Sequence, residues 1–305
     1  LAYGLQDLPA FPTPHGMSAE AYLRRLCHDA LPRRYGDAPT PVQEQLTHEL
    51  EIIERAGLSN YFLIVWDIVR FAREAGIRCQ GRGSAANSLV AYLLHISPVD
   101  PIAQNLVFER FLSDERRATP DIDVDFDAQR REEVIQYLYR TYGPEHAAMA
   151  CTFVTFRTRS AIRDIGKALG LAPHVVATAV HAVEHGDLAA LAATPEQSTV
   201  KLLLELADQI DGFPRHLGIH SGGMVITSAP LMGRVPTEPA TMAGRVVVQW
   251  DKEGLEDAGL VKIDVLGLRM LSAISDAVAL IAEADGAAPD IDNLTFTDPA
   301  VYRMI

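Results

Sequence analysis

Cysteine is scarce in this chain: three residues in 305, Cys27, Cys79 and Cys151, lie far apart with no paired spacing. That excludes a disulfide framework and a zinc knuckle, and makes a reducing cytoplasm the expected setting. Long apolar runs are missing too. Charges break every apolar stretch, and the opening LAYGLQDLPAFPTPHG has neither the basic start nor the apolar centre of a secretion signal. No low-complexity tract or short-period repeat is present. Positive charge is in deficit, 27 Lys and Arg against 40 Asp and Glu for a formal net charge of −13. Phosphate binding is mainly cationic neutralisation, so a strong, salt-resistant grip on nucleic acid by this chain alone is not expected. What remains is a globular chain with an apolar fraction of 48 %, long enough for two domains or for one catalytic region with an insertion.

The most informative segment is Asp121-Ile122-Asp123-Val124-Asp125-Phe126-Asp127. In a strand, successive side chains alternate faces, so Ile122, Val124 and Phe126 enter a core while four carboxylates converge on the other surface. Like charges crowd expensively without a cation, and carboxylate oxygens suit Mg²⁺ or Mn²⁺. A metal-dependent phosphoryl-transfer site is therefore the first expectation. A calcium loop of the helix-loop-helix type needs glycine at its sixth position, where Phe126 stands. A plain solvated strand face stays open as the alternative. Pro120 suits a strand entry on either reading.

Apolar periodicity predicts helices over 18–31, 40–56 and 61–76, the last with Tyr61, Phe62 and Trp66 in the core. In GRGSAANSLVAYLLH (81–95), Gly81 and Gly83 predict a tight turn with Ser84 capping a helix that turns Leu89, Leu93 and Leu94 inward. Exposed amides at a helix start form an anion site, although the Gly-Lys-Ser/Thr of a phosphate loop is absent. Further helices are expected at 129–142, with Val134, Leu138 and Tyr142 inward, and at 159–169. A helical tract at 170–212, interrupted by HGD and ATP, is read as a subdomain inserted between strands. Strands are expected near 149–155, at 222–228, 245–250 and 259–267, before a helix at 268–284.

In the strand VKIDVLG, Asp264 beside the acid run completes a set of three carboxylates able to hold two cations about 4 Å apart, as in-line phosphoryl transfer requires. Lys262 shares its face by period two. Asp251-Lys252 is expected in a turn near the site. Local basic strips suit a polyanion: Arg157, Arg159, Arg163 and Lys167 have helical spacing, and Arg116-Arg117 and Arg130-Arg131 flank the acids. His216 and His220 are spaced by four, but Gly218 and the Gly222-Gly223 pair argue against a helix and hence against a zinc pair. The glycine pair predicts close approach of backbone to a substrate or another strand.

The blocks GRGSAANSLVAY (81–92), LVFERFL (106–112), PDIDVDF (120–126), SAIRDIGKALG (160–170), HSGGMVI (220–226), QWDK (249–252) and GLVKIDVLGLRML (259–271) resemble, in order, those of the catalytic alpha subunit of bacterial C-family DNA polymerases. The resemblance implies an α+β fold, a polymerase-beta-like nucleotidyltransferase palm, a mixed sheet with helices, carrying an inserted helical thumb. The implied division is 1–154 palm with N-terminal helices, 155–220 thumb, 221–267 second part of the palm and 268–305 start of the fingers. It further implies Asp121, Asp123 and Asp264 as catalytic metal ligands for two Mg²⁺, with Mn²⁺ an alternative, and Asp125 as a supporting acid. Gly81, Arg82, Gly83, Ser84 and Lys262 would bind nucleotide, and Arg157, Arg159, Arg163 and Lys167 DNA.

The implied activity is template-directed transfer of a nucleotide from dNTP to a primer 3′-hydroxyl on primer-template DNA, with no membrane involved. CQGRGSAANS, GFPRHL (212–217) and QWDK are closer to the damage-inducible, error-prone branch than to the main replicase, whose second motif usually reads GRGSGAGS. That branch implies translesion synthesis alongside a sliding clamp and accessory mutasome proteins. Nothing resembles the family's PHP phosphoesterase domain or its clamp-binding tail, so a piece of a considerably longer protein is expected. The competing readings are a replicative polymerase subunit, a template-independent nucleotidyltransferase, and a catalytically incompetent DNA- or protein-binding module.

Overall fold

The computed structural model describes residues 8–112, 121–187, 197–291 and 298–304. Pro120 and Arg116-Arg117 lie outside the described residues, as does the ATP interruption at 193–195. Three helices open the fold: α1 (Ala19–Tyr35), α2 (Thr40–Arg55) and α3 (Ser59–Glu74). Each expected helix in this stretch is present. Ser18 starts α1 by accepting from Ala21 N at 3.2 Å, and Gly36, at φ 60°, ends it. Tyr61 and Phe62 are fully buried, while Trp66 is packed at the core's margin.

The sheet has seven strands: β1 (Cys79–Arg82), β2 (Asp123–Asp127), β3 (Ala147–Thr155), β4 (Pro214–Ile226), β5 (Thr237–Pro239), β6 (Val246–Val248) and β7 (Lys262–Leu268). Their spatial order is β1-β2-β7-β4-β3-β6-β5. Parallel pairs (β2 with β7, β3 with β6) mix with antiparallel ones. The fold is thus α+β with a mixed sheet. Between strands lie α4 (Leu89–Leu93), α5 (Arg131–Tyr142), α6 (Thr158–Ala168), α7 (Pro173–His185), α8 (Gln197–Ile210) and α9 (Lys252–Asp257); α10 (Arg269–Asp285) and α11 (Pro299–Met304) follow β7. Among the described residues, no helix is long and apolar enough to cross a membrane.

Strand alternation explains where the cores sit. One face of the sheet sends Ile122, Val124, Phe126, Met149, Met224, Ile263 and Val265 into the main core under α1 to α5. On the other face, Ala148, Ala150, Val225 and Val248 pack against Leu255 of α9 with Leu231 and Leu260. A third cluster belongs to α6, α7 and α8 alone, built on Ile162, Val175, Ala179 and Leu203. These helices form a small body on a ribbon, because β3 and β4 run past the sheet as an antiparallel pair from Cys151↔Ile219 to Thr155↔Pro214. Residues 214–220, expected within the helical insertion, are therefore strand.

Two local expectations are corrected. Ser84 does not cap the helix after the glycine turn. Gly83–Asn87 form a 3-10 turn, and Ser88 caps α4 by accepting from Ala91 N at 3.1 Å. The four carboxylates of the acid run do not converge either. Asp127 Oδ1 accepts from Gln129 N at 2.9 Å and Ser272 Oγ at 2.6 Å, so it ties the start of α5 and the first turn of α10 to the sheet.

Candidate active site

Strand register builds a row of side chains across the sheet. Asp123 on β2 stands opposite Asp264 on the parallel β7, Arg82 on β1 stands opposite Asp123, and Gly223 on β4 stands opposite Asp264. Directly paired residues project to the same face. The acids cannot turn inward without pulling Val124 and Val265, both at most 2 % exposed, out of the core. Asp121 joins them from two residues before Asp123. One carboxylate oxygen from each of Asp121, Asp123 and Asp264 lies within 4.8 Å of the others. Asp121 and Asp123 are half-buried and Asp264 is buried, and none of them lines either of two cavities of about 520 and 600 Å³ elsewhere in the molecule.

The electrostatics are those of an incompletely balanced cluster. Burial, the Asp121 charge and the contact with Asp264 together push Asp123 up to about 6, against a smaller opposing pull from Arg82. Arg82 Nε lies 3.8 Å from Asp123 and 3.7 Å from Asp125. Asp125 is 4 % exposed, and burial raises its carboxyl despite Arg82. Lys262 Nζ contacts Asp264 Oδ2 and lies 3.6 Å from Asp121, while Lys252 Nζ lies 3.5 Å from Asp121. The Asp121 charge holds the Lys252 ammonium above its usual range. Asp264 Oδ1 is buried without a hydrogen-bond partner. A buried acceptor left unpaired is costly, and three converging carboxylates are an oxygen donor set for a hard divalent cation. The residues present therefore fit such an ion.

The other candidates divide. Gly83 has φ +68°, which favours glycine, and with Ser84 begins the 3-10 turn directly after Arg82, at the end of β1 beside the acids. Gly81 is packed away instead. It pairs with the core residue Val124, its N–H donates to Ile96 O at 2.5 Å, and a Cβ there would meet that oxygen at 2.5 Å. Lys262 sits among the carboxylates. Arg157 precedes α6, whose Arg159, Arg163 and Lys167 line one groove with α7; Arg159 is paired with Glu184, whereas Arg163 and Lys167 have no ion pair among the described residues. These four belong to the helical body rather than to the row of acids. Arg130 is spent on Glu133, at 2.8 Å, and on carbonyls that follow α3.

Two residues near the acids were not assigned a role from sequence. Lys252 is reached because Asp251 caps α9, accepting from Gly254 N at 3.0 Å. His220 lies beside Asp264 because the glycine pair lets it. A Cβ on Gly222 would fall 2.7 Å from Val265 O, and one on Gly223 would fall 2.7 Å from His220 Nδ1. The expected close approach is therefore to strand β7 and to the His220 ring. The only sequence signals were the QWDK and HSGG blocks.

Comparison with known proteins places the chain in a family. The family described as "Bacterial DNA polymerase III alpha NTPase domain" matches residues 21–267. The chain is 47% identical over 309 residues to a protein named error-prone DNA polymerase from Anaeromyxobacter sp. (strain K), covering 95% of the chain and 27% of that protein. A protein of the same name from Methylococcus capsulatus is 47% identical, covering 98% of the chain and 29% of the relative; one from Mycobacterium bovis is 45% identical, covering 100% and 28%. The chain thus spans between a quarter and a third of the length of the curated relatives it matches. With the match covering most of the chain, including β2, β7 and all three acids, the chain belongs to the bacterial DNA polymerase III alpha NTPase domain family.

Proposed function

We propose that the row Arg82–Asp123–Asp264, with Asp121, is the catalytic centre of a template-directed DNA polymerase that joins a nucleotide from dNTP to a primer 3′-hydroxyl, releasing pyrophosphate. The observation that carries this reading is the convergence of one oxygen from each of three aspartates within 4.8 Å on one sheet face. In it the sheet is a polymerase-beta-like palm, and Asp121, Asp123 and Asp264 hold Mg²⁺. Bound there, a pair of such ions supplies the Lewis acidity that activates the 3′-hydroxyl and offsets charge on the triphosphate and departing pyrophosphate.

The chain's own residues do the rest. Gly83 turns the backbone so that the amides opening the 3-10 turn, with Ser84, face the triphosphate. Arg82 stands between that turn and Asp123, held by Asp125, where it meets both nucleotide and acid charge. Lys262 and Lys252 limit repulsion among the acids until substrate arrives. The helical body within 155–220 is the thumb, and Arg157, Arg159, Arg163 and Lys167 contact DNA phosphates, which position a duplex without reading its sequence. The segment from 268 begins the fingers. The relatives' name, error-prone DNA polymerase, is in keeping with a translesion role; a cytoplasmic setting, with a sliding clamp and mutasome proteins as partners, completes the proposal.

Single-nucleotide extension of a primed template by the full-length protein carrying this chain tests the reading. Incorporation matched to the template base, and lost in Asp123→Ala, is expected. Incorporation blind to the template indicates a template-independent transferase instead. Unchanged incorporation in a folded Asp123→Ala protein refutes the site.

A further inference from the structure

The row of acids has two flanks, and the proposed function uses only one. On the β1 side lie Arg82 and the Gly83 turn. On the β4 side lies His220. Its Nδ1 accepts from Gly222 N at 3.2 Å and from Gly223 N at 2.6 Å. An imidazole nitrogen that accepts carries no proton, so the ring is the neutral tautomer with its hydrogen on Nε2. The 3.9 Å approach of Nδ1 to Asp264 Oδ1 is therefore not an ion pair: Nδ1 is satisfied by the two glycine amides, and Asp264 Oδ1 stays without a hydrogen-bond partner. Among the described residues nothing accepts from Nε2, although the side chain is only 24 % exposed. The ring packs directly on the glycine backbone, since a Cβ at Gly223 would fall 2.7 Å from Nδ1.

An unused donor next to the three carboxylates calls for an acceptor brought by a substrate. We infer that His220 Nε2–H donates to the phosphodiester nearest the primer 3′ end, making the β4 flank the primer subsite. This rests on the proposed polymerase reading. In-line transfer needs the attacking 3′-oxygen and the departing pyrophosphate on opposite sides of the reacting phosphorus. With the triphosphate on the Gly83 turn, the primer comes from the β4 side. The strand continues this way: His216 and Gly218 follow His220 at period two, on the face opposite Leu217 and Ile219, which pack toward the main core. Their cross-strand partners are Val154 and Thr152. A Cβ at Gly218 would stand 3.1 Å from both Thr152 Oγ1 and Val154 Cγ2, so those two side chains close over the glycine.

The test compares His220→Asn and His220→Gln in the full-length protein, with Asp123→Asn as reference. Asparagine keeps an acceptor for the two glycine amides but has no donor at the Nε2 position; glutamine carries a donor that far out. His220→Asn is expected to raise the KM for primer-template or lower kcat by about tenfold to a hundredfold, the weight of one hydrogen bond to a charged oxygen. The KM for dNTP stays within about twofold, and His220→Gln recovers most of the loss. A primer whose last linkage is a methylphosphonate slows the parent protein and leaves His220→Asn no slower than before. A rise in dNTP KM alone, equal loss in both His220 variants, or equal sensitivity of parent and variant to the methylphosphonate overturns the inference. Full activity in Asp123→Asn instead brings down the polymerase reading itself.

Discussion

Glu49 on α2 is fully buried, and its carboxylate organises the segment behind the glycine turn. It accepts from Leu89 N at 2.9 Å, Val90 N at 3.0 Å, Ser88 Oγ at 2.9 Å and Gln45 Nε2 at 3.0 Å. Two of these donors are the first amides of α4, which no intrahelical acceptor serves. Burial raises the Glu49 carboxyl above its ordinary value, and the four hydrogen bonds pull part of that back. Glu49→Ala strands two buried amides, at about 1–3 kcal/mol each, and opens a cavity besides, so a loss of about 4 kcal/mol is expected. For a chain of this size that is a fall in Tm of roughly 6 °C. Glu49→Gln keeps one acceptor oxygen and the shape, and loses about half as much. Differential scanning calorimetry of the parent and both variants decides. A drop under about 2 °C for Glu49→Ala, or Gln as damaging as Ala, shows that the carboxylate does not hold this turn. Raised pKa also fixes a sign. The folded state binds the Glu49 proton more tightly than the unfolded chain, so this residue's contribution falls as pH rises from the unfolded value near 4.5 through the higher folded one.

Gly222→Ala drives a Cβ to 2.7 Å from Val265 O, so β4 and β7 must part where Asp264 is aligned; nucleotide incorporation is expected to drop by more than about a hundredfold, and activity within about threefold of parent refutes the close packing. For Asp123, pushed up to about 6, the sign is again that the metal-free protein loses stability as pH rises from about 4 through 6, because burial and then the neighbouring acids oppose its charge. Divalent cation reverses this: the Tm gain on adding Mg²⁺ is expected to be small at pH 5 and large at pH 7.5, and a gain independent of pH, or one retained in Asp123→Asn, contradicts it.

Local periodicity carried much of this fold. The 3.6-residue apolar pattern marked α1, α2, α3, α5 and α10 to within a few residues, and the alternation in DIDVDF and KIDV marked β2 and β7 with the correct faces inward. Those readings succeed because a helix or strand face is fixed within a window of a few residues by burial alone. The resemblance of whole blocks to a polymerase family, matched over residues 21–267, named the three acids as a set.

Other features depend on partners distant in sequence. Ser84 and Ser88 are equivalent as caps by type; Ser88 prevails because Glu49, on another helix, secures its hydroxyl. Asp127 looks like a fourth ligand until Ser272, 145 residues later, claims it. His220 and Lys252 reach the acids only through the pairing of β4 with β7 and the packing of α9. The sequence by itself determined which side chains face out and which chemistry they carry, because alternation and residue type are local. Tertiary structure decided which acids meet, which cations balance them and which donor is left unused. Strand order and register set those distances, and both are chosen by long-range packing that no short stretch of chain encodes.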